Sequence, residues 1–179
     1  LPNPEDPAAF TMALELAKEV NADIVLASDP DADRTGIYAK TPDGGYAMIN
    51  GNQIGVILCD RIIESHKARK TMPVNPFVVS TVVSTRLTKD ICLANNVEYI
   101  DVLTGFKFIG EQAALIEGTD KEFFFGYEES YGYVIKDFVR DKDSCQATLL
   151  LCEVASFYKE MGKTLYDVLF DIFFTYVNF

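Results

Sequence analysis

The stretch Ala22–Arg34 reads ADIVLASDPDADR, an apolar run followed by three aspartates spaced two residues apart. The run Ile24–Ala27 predicts a short buried strand that ends just before Asp29, Asp31 and Asp33. Two carboxylates about 4 Å apart repel each other by roughly 4 kcal/mol at an effective dielectric constant of about 20. Because such repulsion destabilises the end of a strand, we expect a cation among the three carboxylates. An all-oxygen ligand set favours Mg²⁺, which makes Asp29, Asp31 and Asp33 candidate metal ligands.

An EF-hand calcium loop is one alternative for this stretch. Counted from Asp29, the sixth position would be Arg34, where that loop needs glycine, and the twelfth would be Lys40, where it needs glutamate. The sequence therefore excludes an EF-hand. A solvated turn built from Asp and Pro is a further alternative, but the preceding strand and the repulsion between carboxylates argue against it.

A phosphatase of the haloacid-dehalogenase type is a stronger alternative. Its Asp-x-Asp-x-Thr motif would consist of Asp31, Asp33 and Thr35, with Asp31 as nucleophile and Asp33 as acid/base. Ser80 or Thr81, after the next predicted buried strand, could supply the second motif of that fold. This alternative predicts that the chain hydrolyses phosphate esters by itself, whereas a purely electrophilic Mg²⁺ site needs a nucleophile from elsewhere.

Strands and helices alternate from Phe77 onward, which predicts an α/β fold with a sheet covered by helices. Two predicted strands, Gly36–Lys40 and Tyr46–Ile49, are joined by a turn and interrupt the alternation. We place a division there. Residues 1–41 are expected to form the C-terminal part of one α/β domain, and residues 42–179 a second α/β domain.

The bulk composition limits the class of protein. The 179 residues, 49% of them apolar, can bury the core of one large domain or parts of two. A net charge of -11 without any basic stripe argues against a nucleic-acid partner. No uninterrupted apolar run of about 18 residues occurs, so no membrane span is expected. The four cysteines form no CxxC pair and predict reduced core thiols in a cytoplasmic protein.

The tail Leu165–Phe179 predicts a helix that is apolar on nearly every face. Such a helix must be covered by other protein. The chain also begins at Leu1 without an initiator methionine. We therefore expect it to be a piece of a longer protein, with the tail leading to a further domain.

A second group of polar residues lies in the stretch Gly126–Tyr133, which reads GYEESYGY and is predicted to be a loop after a buried strand. Ligands of α/β sheets bind at the carboxyl ends of strands, where this loop would lie. Glu128 and Ser130 are two residues apart and would point the same way in extended chain. A carboxylate beside a hydroxyl suits the vicinal hydroxyls of a sugar.

Two further stretches place a lysine beside a predicted helix start. Lys142, within Arg140–Asp143, could bind a phosphate together with free backbone N–H groups; alternatively this is a solvated charge cluster in which Asp143 caps the helix. The stretch Thr104–Lys107 is a strand-to-helix loop with a lysine, for which a turn glycine and a surface lysine are the simpler interpretation. The single histidine, His66, is predicted to be a surface helix residue.

In this order, the motifs resemble those of the α-D-phosphohexomutase family over nearly the whole chain. The stretch Asp29–Arg34 matches the metal loop Asp-x-Asp-x-Asp-Arg of that family. The stretch Gly126–Gly132 resembles its sugar-binding loop, Thr104–Lys107 resembles a loop that sets substrate orientation, and Lys142 matches a lysine that contacts the substrate phosphate.

The resemblance implies a three-layer α/β/α fold with a mixed sheet, the chain holding the end of the second of four domains and most of the third. It implies reversible phosphoryl transfer from a phosphoserine to a hexose phosphate, through a bisphosphorylated sugar and with Mg²⁺. Glucose phosphate is the first candidate substrate, and mannose and pentose phosphates are alternatives. The implied substrate-binding residues are Arg34, Thr104, Gly105, Phe106, Lys107, Glu128, Ser130 and Lys142.

Two motifs of that family are absent from this sequence. Neither the Thr-Ala-Ser-His-Asn-Pro loop with the serine nucleophile nor the Arg-x-Ser-Gly-Thr phosphate loop occurs. The resemblance therefore implies that this chain contains no catalytic nucleophile, is inactive alone and works with missing domains of the same polypeptide.

Overall fold

The structure is a computed structural model that describes residues 2–177. Phe179, which was predicted to belong to the last helix, lies outside the described residues. Two sheets are present in the described part, one of three strands and one of four.

The first part of the chain carries the three-stranded antiparallel sheet in the order β1-β2-β3. A 3-10 turn precedes the first helix because Asp6 accepts a hydrogen bond from the Ala8 N–H and Pro7 occupies the first turn. The elements are the 3-10 turn Pro7–Phe10, α1 Thr11–Val20, β1 Ile24–Ser28, β2 Thr35–Lys40 and β3 Tyr46–Ile49.

Strand β1 differs from the prediction that it is buried. It pairs with β2 alone and lies at the edge of its sheet, where Ile24–Ala27 are only half-buried. Apolar content alone does not tell an edge strand from a central one, because both read as short apolar runs. The predicted division between residues 41 and 42 lies in the turn between β2 and β3, and it stays a prediction.

The second part of the chain builds a sheet in the order β5-β4-β6-β7, in which β4 is parallel to β5 and β6 while β7 is antiparallel to β6. This mixed sheet with its helices confirms the predicted α/β class. The elements are α2 Gly51–Arg69, β4 Asn75–Thr81, α3 Leu87–Ala94, β5 Glu98–Val102, α4 Phe106–Leu115, β6 Lys121–Glu128, β7 Gly132–Val134, α5 Ser144–Glu160 and α6 Leu165–Tyr176.

Strand β4 shows how the layers are arranged. Phe77 and Val79 point to one face, where they pack with Ile109 of α4. Val78 points to the other face and joins a larger core formed with α2, α3, α5 and α6. That larger core also contains Ile37 of the first sheet, so one apolar cluster spans both sheets. Because β4 is covered on both faces, nearly all of its residues are buried, as in other central parallel strands.

The stretch predicted as a loop after Phe125 is instead a tight β-hairpin. Strand β6 continues to Glu128, and β7 begins at Gly132. Tyr127 and Tyr133 are fully buried and stack with ring centroids 6.4 Å apart. Tyr131 closes the turn with a φ of 66°. Glycine, glutamate and serine suggested a loop, but the buried tyrosine rings hold both strands in the core.

The last helix packs on α2 through its predicted apolar stripe. Leu165, Val168, Leu169 and Ile172 are buried, whereas Phe174 is 74% exposed. None of the described helices has both the length and the apolar character that a bilayer span needs.

All four cysteines are free, but only two of them lie in the core. Cys59 and Cys92 are buried with their Sγ atoms 3.9 Å apart. Cys145 and Cys152 are exposed on α5, so the prediction of four core thiols was wrong for these two. Both cysteines lie on parts of the α5 surface that the core does not cover. The spacing of residues within one helix does not show which of its faces other elements will cover.

A buried carboxylate on α2 makes stability depend on pH. Asp60 is 7% exposed and accepts a hydrogen bond from the Tyr176 hydroxyl at 3.1 Å. Burial raises its pKa from 3.8 to about 6. Its stabilising contribution is therefore complete below pH 3.8 and is lost as pH rises through about 6. We expect Asp60→Asn to match the wild type near pH 4 but to exceed its unfolding free energy by about 3 kcal/mol at pH 7.

Urea denaturation of both proteins over this pH range measures the effect. Asp90→Asn, on the exposed side of α3, is the matched control and should change the unfolding free energy at pH 7 by much less than Asp60→Asn does. Parallel profiles for the wild type and Asp60→Asn would contradict the prediction.

Candidate functional site

The three predicted metal ligands lie together in the loop between β1 and β2, Asp29–Arg34, which we call the aspartate loop. One carboxylate oxygen from each of Asp29, Asp31 and Asp33 lies within 4.8 Å of the others. Asp29 is buried, Asp33 is half-buried and Asp31 is exposed. The three carboxylates therefore face one small volume, with an open side at Asp31.

Hydrogen bonds from Arg34 hold Asp29 in place. Asp29 Oδ1 accepts hydrogen bonds from the backbone N–H groups of Asp33 at 3.1 Å and Arg34 at 3.0 Å. Asp29 Oδ2 accepts a hydrogen bond from Arg34 Nε at 2.7 Å. Burial alone would raise the pKa of Asp29, but the backbone and side-chain hydrogen bonds from Arg34 outweigh it and lower the pKa to about 2. Arg34 also pairs with Glu5 at 3.0 Å. Asp29 thus stays ionised, in a fixed orientation.

The β6–β7 hairpin lies next to the aspartate loop and carries Glu128 and Ser130, the predicted carboxylate and hydroxyl. Glu128 is buried, which raises its pKa, while the Ser130 side chain and the charge of Lys142 lower it. Glu129 points away from this pair, because its carboxylate accepts the Thr81 hydroxyl at 2.9 Å. Glu128 and Ser130 are therefore adjacent, and Glu129 is occupied elsewhere.

Direct contacts join the aspartate loop to this hairpin. Arg34 forms an isolated antiparallel bridge with Gly132, and the Thr35 N–H donates to Tyr131 O at 3.1 Å. The Thr35 hydroxyl donates to Ser144 Oγ at 2.8 Å, at the start of α5. Sequence reasoning missed Thr35 and Ser144 as supports of the site. They are 109 residues apart, and no local spacing signals their contact.

Lys142 lies between the aspartate loop and the β6–β7 hairpin. Its Nζ is 3.0 Å from Asp33 Oδ2, and its side chain is 19% exposed. Burial alone would lower the pKa of Lys142, but the hydrogen bond to Asp33 and the other nearby carboxylates outweigh it and raise the pKa. Asp143 caps α5 by accepting the Cys145 N–H at 2.8 Å. The structure thus confirms the cap by Asp143, while phosphate binding by Lys142 stays a prediction.

The Thr104–Lys107 loop reaches the site through one residue. Phe106 is buried, and its ring centroid lies 5.7 Å from Lys142 Nζ. Gly105 has a φ of 120° and leads into α4, while Thr104 is exposed. Lys107 is exposed and lies over the Phe108 ring at 4.8 Å rather than against the carboxylates. The structure thus brings Phe106 to the site and leaves Lys107 at its surface.

The only histidine is outside this constellation. His66 lies near the C-terminus of α2, where its Nδ1 is 3.0 Å from Thr71 O and its ring packs 4.6 Å from that of Phe124. It is half-buried, so its predicted place on the surface of a helix is only partly correct.

The residues present fit a divalent cation. Three carboxylates within 4.8 Å supply oxygen ligands only, which is the set that Mg²⁺ takes. Arg34 and Lys142 offset part of the negative charge, and the remainder attracts a cation. The adjacent Glu128, Ser130 and Lys142 offer an acceptor, a hydroxyl and a positive charge to a polyhydroxylated anion.

Comparison with known proteins identifies the family of this chain. Residues 50–176 match the family model of phosphoglucomutase/phosphomannomutase α/β/α domain III, and residues 1–44 match the model of domain II. The chain belongs to the phosphoglucomutase/phosphomannomutase family. This membership confirms the resemblance drawn from the motifs. The match also disfavours the phosphatase alternative. Ser80, one of the two residues that could have supplied its second motif, donates instead to Tyr127 O within the buried sheet.

Relatives of known name show how much of their length this chain spans. Phosphoglucomutases of Staphylococcus aureus strains USA300 and N315 are 42% identical to it over 174 residues. The match covers 97% of this chain and 30% of each relative. The chain therefore spans about 30% of the length of these relatives.

Solved structures of the family share the fold. A Thermus thermophilus protein assigned as a phosphomannomutase superposes with a TM-score of 0.73 at 24% identity, covering 96% of this chain and 35% of that one. The Paramecium phosphoglucomutase pp63/parafusin gives a TM-score of 0.67 at 15% identity, covering 99% and 30% respectively. At these identities the likeness supports the phosphohexomutase fold alone.

Proposed function

We propose that this chain is the cation- and sugar-binding part of a phosphoglucomutase that interconverts glucose 1-phosphate and glucose 6-phosphate. The carrying observation is that Lys142 pairs with Asp33 of the aspartate loop at 3.0 Å and also lies beside Glu128, which neighbours Ser130. The 42% identity to named phosphoglucomutases favours glucose phosphates over mannose or pentose phosphates. The whole enzyme would include the domains that lie outside the 30% of its relatives spanned by this chain.

The aspartate loop is proposed to hold Mg²⁺. When bound there, the ion would neutralise phosphoryl oxygens and stabilise the charge that develops during transfer. Asp29 would supply a rigid ligand, because Arg34 already fixes it. Asp31 would supply the ligand on the open side of the loop, where it is not held by burial. Arg34 would stay oriented by Asp29 and Glu5 and donate hydrogen bonds near the phosphate.

The hairpin and its neighbours are proposed to hold the sugar phosphate. Glu128 would accept and Ser130 would donate or accept hydrogen bonds with two sugar hydroxyls. Lys142 would contact the phosphate. The Thr104–Lys107 loop would help to set the orientation, with Phe106 forming the apolar floor. A small pair of contacts can accept the sugar in two orientations, as a mutase requires.

The nucleophile is proposed to be a phosphoserine on another domain of the same polypeptide, which would make the enzyme a cytoplasmic phosphoprotein. Residues 1–41 and 42–179 would belong to two consecutive α/β domains. In this scheme the present chain orients substrate and cation but does not break the phosphoester bond.

Purified full-length protein tests the proposal. We expect Mg²⁺-dependent conversion of glucose 1-phosphate to glucose 6-phosphate, measured by a coupled dehydrogenase assay, and weaker turnover of mannose 1-phosphate and ribose 1-phosphate. The separate 179-residue chain should show no turnover. Hydrolysis of p-nitrophenyl phosphate by this chain alone would instead support the phosphatase alternative.

Ser130→Ala is expected to lower kcat/KM for glucose 1-phosphate by about 10- to 100-fold, because one hydroxyl contact to the sugar is lost. Ser156→Ala, an exposed serine on α5, is the matched control and should leave kcat/KM unchanged. Steady-state kinetics of the full-length enzyme measure both. Equal kinetics for Ser130→Ala and the control would remove Ser130 from the proposed sugar contacts.

A further inference from the structure

Strand β7 begins with Gly132, a position where the lack of space for a side chain, rather than the backbone conformation, requires glycine. A Cβ atom on Gly132 would clash with Lys142 Cδ and would lie 2.9 Å from Lys142 Cγ and 3.0 Å from Glu128 Oε1. Gly132 is not among the residues with positive φ, so alanine could adopt its backbone conformation. The lysine stem thus crosses the hairpin at a distance that only a glycine permits.

The packing of the Lys142 side chain against Gly132 determines where the lysine amine lies. Lys142 Nζ lies 3.0 Å from Asp33 Oδ2 and 5.7 Å from the Phe106 ring, and it is close enough to Glu128 to lower the pKa of that carboxyl. The same amine therefore serves the aspartate loop and the sugar-binding hairpin. A lysine side chain has four rotatable bonds, and packing of its stem against Gly132 restricts them.

We propose that Gly132 is a positioning residue that seats Lys142 between the aspartate loop and the hairpin. The seated ammonium is the positive charge that pairs with Asp33, beside the ion pair of Arg34 with Asp29, and it is the contact for the substrate phosphate. This inference rests on the proposed function and deepens it, because it assigns a residue that determines how one lysine serves both ligands.

Displacing the ammonium should affect the two ligands in opposite directions. Asp33 loses a neighbouring positive charge, so a divalent cation should bind more tightly. The sugar phosphate loses a positive charge, so it should bind more weakly. General loosening of the site would weaken both, and the opposite signs therefore separate positioning from structural damage.

A double-mutant cycle in the full-length protein tests the seat, with Gly132→Ala, Lys142→Ala and the double variant. The probes are Mn²⁺, followed by electron paramagnetic resonance, and glucose 6-phosphate, followed by calorimetry. In each single variant we expect the Kd for Mn²⁺ to fall by about tenfold and the Kd for glucose 6-phosphate to rise by about tenfold. The double variant should lie within about twofold of Lys142→Ala, because without the lysine stem the added methyl group keeps only the 3.0 Å contact with Glu128 Oε1, which a small shift relieves.

Lys18→Ala, an exposed lysine on α1, removes the same charge elsewhere and should change neither Kd by more than about twofold. Additive effects in the double variant, or wild-type affinities in Gly132→Ala, would overturn the assignment. If Gly132→Ala does not fold, a folded double variant supports the seat and an unfolded one overturns it. A wild-type protein that binds neither probe would instead refute the proposed function, and this inference with it.

Discussion

Replacing Asp31 by asparagine is expected to lower kcat for glucose 1-phosphate conversion by about 10³-fold, or roughly 4 kcal/mol of transition-state stabilisation. Asp31 is the exposed member of the aspartate group, so its loss should not disturb the core. The hydrogen bonds of Asp29 remain, and the loop should keep its shape. The defect should therefore appear in cation binding and catalysis and leave the melting temperature without metal unchanged.

Mn²⁺ titration and steady-state kinetics of the full-length enzyme check this expectation, with Asp90→Asn as the control for a lost surface charge. The Kd for Mn²⁺ should rise by at least about tenfold in Asp31→Asn and stay constant in the control. An unchanged Kd for Mn²⁺ together with wild-type kcat would exclude Asp31 as a ligand. Unchanged Mn²⁺ binding together with lost hydrolysis of a simple phosphate ester would point back to a nucleophilic Asp31.

Replacing Tyr127 by alanine is expected to lower the free energy of unfolding by about 4 kcal/mol. The Tyr127 ring is fully buried, stacks with Phe125 at 5.5 Å and Tyr133 at 6.4 Å, and packs so tightly on Gly55 that a Cβ there would clash with it. Its hydroxyl is 2.7 Å from Thr88 Oγ1. Removing the ring leaves a cavity beneath the hairpin that carries Glu128, so substrate affinity should fall as well.

Tyr127→Phe separates the ring from the hydroxyl. It keeps the packing and loses one buried hydrogen bond, which should cost about 1 kcal/mol. Urea denaturation of the wild type and both variants measures the difference. Equal losses in the alanine and phenylalanine variants would show that the hydroxyl, rather than the ring, stabilises the hairpin.

The aspartate loop and the class of fold could be predicted from local sequence. Repulsion among Asp29, Asp31 and Asp33 depends only on their spacing, and alternating strands and helices indicate an α/β domain whatever the strand order. The family models confirm the class and the family. The role of each aspartate as a metal ligand stays a prediction, because a cluster of carboxylates and a bound cation are separate observations.

The supports of the site could not be predicted in this way. Glu5 orients Arg34 from 29 residues away, and Ser144 accepts a hydrogen bond from Thr35 across 109 residues. Such contacts arise when two sheets share one core, and no periodicity along the chain encodes them. Tyr127 and Tyr133 show the same limit, because their burial turned a predicted loop into a hairpin.

The sequence by itself determined which chemical groups this protein can bring to a ligand: three carboxylates after a strand, a glutamate and serine in register, and a lysine before a helix. Charge repulsion and side-chain chemistry are properties of nearby residues, so they can be read locally. Only the tertiary structure decided that these groups meet. Lys142 reaches Asp33 because α5 begins beside the aspartate loop and because Gly132 leaves room for the lysine stem. That geometry depends on packing between distant segments, which local spacing does not specify.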